Sequence, residues 1–135
     1  MANYTFNAIY TAVEEAAQSV ESSAYCSSRY EPVPDAFPAV YVEEVSRVRT
    51  PNHITLDYTD EQNRVIHEVQ VWSNKQNGAR TEAYAIMNAI VAAYNTHYFR
   101  LTMMSPMPIT DRSIYRLVAR FTKQVTGGDT LPEGD

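Results

Sequence analysis

Residues 114–125 read Ile-Tyr-Arg-Leu-Val-Ala-Arg-Phe-Thr-Lys-Gln-Val, and this alternation constrains the fold more than any other stretch. Tyr115, Leu117, Ala119, Phe121 and Val125 fall on one face, with Arg116, Val118, Arg120, Thr122 and Gln124 on the other. Side chains alternate across a strand, so such a segment is a half-buried β-strand. Its apolar face needs a covering layer, and the same chain offers two. Phe6, Ile9, Tyr10, Val13, Ala17 and Val20 recur every three or four residues, which predicts a helix over the first twenty residues with Asn3 or Thr5 as its cap. Ala83, Ile86, Met87, Ile90, Val91 and Tyr94 form the stripe of a second helix, from Ala79 to about Thr96, with Asn77 as candidate cap and Glu82 in its first turn.

The remaining segments supply strands and punctuation. Ala39 to Val48 is rich in Val and Tyr, and Tyr98 to Met104 reads as a further strand. His53–Thr59 and Arg64–Trp72 flank the polar turn Asp60–Asn63 and predict a β-hairpin. Val65, Val69 and Val71 share one face of its second strand. Between Ser22 and Phe37 the periodicity stops, and serines and prolines alternate with Tyr25 and Tyr30. That segment reads as an extended connector. The expected fold is therefore α+β, with the order α-β-β-β-α-β-β. Four to five mainly antiparallel strands carry two helices packed on one face. Residues 1–126 are expected to form one domain, and 127–135 a flexible acidic tail.

At 135 residues the chain is long enough for a buried core. Cys26 is its only cysteine, so no internal disulfide forms, and a reducing cytoplasm is the expected place of synthesis. No apolar run approaches the roughly 20 residues that span a bilayer, and the start MANYTFNAIY lacks the features of a signal peptide. The net charge of −5 argues against a general nucleic-acid coat. The charge is uneven. Residues 1–37 hold one Arg and five acids, whereas 98–126 hold Arg100, Arg112, Arg116, Arg120 and Lys123 against Asp111 alone. Opposite patches on one small chain permit head-to-tail contact between copies, and a solvated charge distribution accounts for the same pattern.

Catalytic chemistry finds little support. His53, His67 and His97 are scattered, with no CxxC, HExxH or His-x-His spacing, so no metal site is expected. There is no GxSxG elbow and no phosphate loop. Asp57 with Glu68-Val69-Gln70 resembles the core of some magnesium-dependent nucleases, but Gln70 stands where such sites place a lysine. Outward polar residues of a hairpin account for the same pattern. Ten tyrosines point instead toward interfaces.

Several segments, taken in order, carry a resemblance. They are FPAVYVEEV (37–45), HEVQVWSNKQNGARTEAYAIMNAIVAAY (67–94), YFRLTMM (98–104) and DRSIYRLVARFTKQV (111–125). Over about residues 4–126 the chain resembles the tail terminator (tail completion, or minor capsid) proteins of long-tailed bacteriophages. The resemblance implies a non-enzymatic virion protein without cofactors. It implies a ring, typically of six copies, that caps the tail tube, ends its polymerisation and joins the tail to the neck. Its partners would be its own copies, the tail tube protein and the head–tail connector, with DNA passing through the lumen. Its place would be the tail–neck region of the virion, after assembly in the host cytoplasm. The interface candidates are Arg116, Arg120 and Arg100, Glu43 and Glu44 as acids of a neighbouring copy, Tyr25 and Tyr30 in the connector, and Asp60 and Glu61 at the hairpin tip. Arg116 and Arg120 would meet a neighbour's acids or line the lumen. The alternatives are a head–tail stopper or tail tube protein, a small magnesium-dependent nuclease, and a monomeric adaptor.

Overall fold

A computed structural model describes residues 6–28, 34, 36–50, 62–107 and 113–126, with only the backbone described at 46–50, 62–63 and 125–126. The elements are α1 (Phe6–Val20), β1 (Tyr25–Ser27), β2 (Ala39–Thr50), β3 (Gln62–Ser73), α2 (Ala79–Thr96), β4 (Arg100–Pro106) and β5 (Tyr115–Thr126). The strands form one sheet in the order β1-β2-β3-β5-β4. Only the β1–β2 pair is parallel. The fold is α+β in the expected order of elements.

Register explains the layering. Antiparallel partners share a face of the sheet. Val42 faces Val69, and Val69 faces Ala119; Val40 faces Val71, and Val71 faces Leu117. All these side chains are buried under the helices. Helix α1 packs against β2 and α2, while α2 packs against β3, β5 and β4. Phe6, Ile9, Val13 and Ala17 of α1 are buried, as are Ala83, Ile86, Met87, Ile90 and Tyr94 of α2. Val20, the last residue of the α1 stripe, is 43% exposed because the helix ends there.

Four local expectations change. The hairpin joins β2 to β3, with Thr50 opposite Gln62. Because β2 and β5 occupy both edges of β3, the pairing of 53–59 with 64–72 is replaced, and 53–59 lies outside the described residues. The connector at 22–37 holds strand β1, three residues that pair with Ala39–Tyr41. The cap of α2 is Gly78 rather than Asn77. Gly78 has φ 92°, caps without a side-chain bond, and accepts the Glu82 N–H at 2.8 Å. Asn3 and Thr5 lie outside the described residues.

Strand β4 starts at Arg100 rather than Tyr98 because α2 ends in a left-handed turn. Tyr98 has φ 68°. Its N–H donates to Asn95 O and that of Phe99 to Tyr94 O, both at 3.0 Å. This is the paired bonding of a Schellman end, with tyrosine where glycine is usual.

Candidate interaction surface

The face of the sheet away from the helices carries a connected row of polar side chains. Glu43, Glu68 and Arg120 lie side by side on β2, β3 and β5. Arg120 Nε donates to Glu68 Oε1 at 3.0 Å, and Gln70 Nε2 donates to Glu68 Oε2 at 2.8 Å. Gln70 Oε1 accepts Arg116 Nε at 3.1 Å and Trp72 Nε1 at 3.3 Å. The Arg116 guanidinium sits 5.3 Å from the centre of the Trp72 ring, within cation–π range. Tyr41 OH donates to Glu43. Alternation places these residues together, and the row fixes both arginines through Nε. Their remaining N–H groups keep the forked geometry that binds a carboxylate or phosphate.

The structure separates residues that the sequence reading grouped. Glu43 lies on this open face, in the same row as Arg120. Glu44 lies on the helix side, opposite His67, with its Oε1 3.9 Å from His67 Nε2. Adjacent residues of a strand point to opposite faces, so the two glutamates present their charge on different sides of the sheet. Arg100 is exposed on β4, and Tyr25 is half-buried on β1. Tyr30, Asp57, Asp60 and Glu61 lie outside the described residues.

On the helix side, His67 is fully buried among Phe6, Tyr94 and Phe99, with ring centres 4.9–5.7 Å away. Its Nδ1 is hydrogen-bonded to the Tyr94 hydroxyl at 3.0 Å. Tyr94 stacks on Phe121 with ring centres 4.0 Å apart, and burial holds its phenol far above its ordinary pKa. The sequence reading left His67 without a place. Yet its position midway between Val65 and Val69 puts it on the buried face.

Burial, and then the Glu14 carboxylate, push the Cys26 thiol up to about 11. The thiol is therefore protonated at neutral pH and a poor nucleophile. Among the described residues no three His, Cys, Asp or Glu side chains gather as metal ligands. An open depression of about 320 Å³ is lined by Asn74, Lys75, Gln76, Ala79, Ser113, Ile114 and Tyr115, none of them a carboxylate, histidine or cysteine. Among the described residues, no helix is long and apolar enough to cross a membrane.

No family model matches the chain, and no curated protein matches it. Solved structures do share its fold. One is a chain of the "Virion of native gene transfer agent (GTA) particle", similar at TM-score 0.56 and 13% identity over 87% of this chain and 93% of that one.

Proposed function

We propose that this chain is a structural protein of a phage-like virion. It forms a ring that caps the tail tube, ends its polymerisation and joins the tail to the neck. The observation that carries this reading is the fold shared with a virion chain across nearly the full length of both. The order of motifs in residues 37–45, 67–94, 98–104 and 111–125 supports the finer assignment to the tail terminus. The polar row on the open sheet face suits a protein–protein contact, because it fixes charged and aromatic groups in place before a partner arrives. In this reading residues 1–126 act as one domain, with 127–135 as an acidic tail. The partners are further copies of the chain, six in number as in the resembling family's rings, together with the tail tube protein and the head–tail connector. DNA crosses the lumen without sequence-specific contacts.

Polymerisation of purified tail tube protein tests this. Added chain should bind tube ends and arrest elongation at a stoichiometry of one ring per end. Tubes that elongate unchanged, or co-polymerise with the chain along their length, overturn the capping role.

A further inference from the structure

The fold sorts charge across the sheet. Helix α1, the turn after it, and β2 up to its bulge carry Glu14, Glu15, Glu21, Glu43 and Glu44, with no Lys or Arg. At the opposite side, β4 and β5 carry Arg100, Arg116, Arg120 and Lys123, with no acid. Sheet order sets these groups apart: β1 and β4 are the two edges, and α1 packs on β2. Beyond the bulge β2 bears Arg47 and Arg49, which confines the acidic side to α1 and the half of the edge next to β1.

α1, packed on β2, and β4 lie three strand spacings apart, about 14 Å. That exceeds the Debye length of about 8 Å at physiological salt, so Glu15 of α1 and Arg100 of β4 are largely screened from each other within one copy. Arg100 and Glu15 are both exposed, and neither has an ion-pair partner among the described residues. Glu21 and Lys123 are only lightly held. Glu21 accepts the Ser23 hydroxyl at 2.9 Å, and Lys123 lies over the Phe99 ring at 5.6 Å.

We infer that a second copy of this chain docks side by side, its acidic α1–β1 edge against the basic β4–β5 edge of the first. The contact uses two different surfaces, so each copy keeps one of each free and the association continues until it closes. Charge complementarity selects this pairing and opposes the two like-with-like arrangements, α1 to α1 and β4 to β4. It offers Glu15 and Glu21, in place of Glu43 or Glu44, as the acids that meet a neighbour's cations. Glu44 belongs to the helix side, and Glu43 stands in the same row as Arg120. The inference rests on the ring-forming reading and adds which edges meet.

A charge swap between copies tests it. One variant is Arg100→Glu with Lys123→Glu; the other is Glu15→Lys with Glu21→Lys. Each is checked for folding by circular dichroism and for association by sedimentation velocity at low and physiological salt. Each alone should associate about tenfold more weakly than the natural chain. An equimolar mixture should recover association, because every contact in an alternating assembly is then complementary. Recovery should fade as salt rises. Variants that associate like the natural chain, or a mixture no better than its components, overturn the edge pairing. Tube capping is scored separately with the same variants. Capping that survives without edge pairing leaves the proposed function standing, whereas a natural chain that neither associates nor binds tubes removes both.

Discussion

Arg120 Nε lies 3.0 Å from Glu68 Oε1 across the β3–β5 pair, and the Glu68 carboxylate also receives Gln70. The Arg120 side chain is 48% exposed, so solvent screens the pair. Its worth lies in orientation more than in stability. A double-mutant cycle with Arg120→Ala and Glu68→Gln should give a coupling of about 0.5 kcal/mol by urea unfolding. A coupling above about 2 kcal/mol would contradict a screened pair.

The bond between His67 and Tyr94 should behave differently, since both groups are buried. His67→Phe leaves the Tyr94 hydroxyl without its ring-nitrogen partner and should cost about 1–3 kcal/mol. Adding Tyr94→Phe removes the stranded hydroxyl and should recover much of that loss. The check is the shift in denaturation midpoint at unchanged slope.

The thiol of Cys26 sets a pH dependence. Its folded pKa is raised to about 11 by burial and by Glu14, and burial together with nearby Cys26, Glu14 and Tyr25 raises Tyr10 to about 12. Both groups are raised acids, so the folded state favours their neutral forms. The unfolded chain releases these protons earlier, Cys26 from about pH 9 and Tyr10 from about pH 10. The stability they contribute is complete below pH 9 and declines as pH rises toward 11–12. Alkylation of Cys26 at pH 8 should be much slower in the folded chain than in urea. Equal rates would show an accessible, ordinary thiol.

Tyr98 holds a left-handed backbone while its side chain is 83% exposed. The fold gains little from that ring, and the conformation disfavours any bulky residue. Tyr98→Gly should therefore raise stability by about 0.5–1 kcal/mol in thermal unfolding. Unchanged or lower stability would mean that the ring's contact with Lys123, 6.0 Å from its centre, offsets the strain.

Much of the layering was legible because periodicity records burial. The α2 stripe predicts Ala79–Thr96, and the helix spans those residues. The alternation in 114–125 gives a strand whose Leu117, Ala119 and Phe121 are fully buried. What escaped the reading lacks such a period. Strand β1 is three residues long and is held by a parallel partner distant in sequence. The turn at Tyr98 depends on backbone bonds to Tyr94 and Asn95, which a tyrosine in the sequence does not announce. The candidate surface divides in the same way. Alternation puts Arg116 and Arg120 on one face, but only the register shows that Glu68 and Gln70 are the groups beside them. Strand alternation also separates Glu43 from Glu44, a consequence that their adjacency in sequence conceals.

Closure into a ring at the end of a tail tube can be observed in solution. Light scattering across a dilution series, with and without purified tail tubes, followed by negative-stain imaging, tests it most directly. A discrete ring is expected, either stable alone or formed on tube ends. A strict monomer with no affinity for tubes, or long filaments of the chain itself, would contradict it.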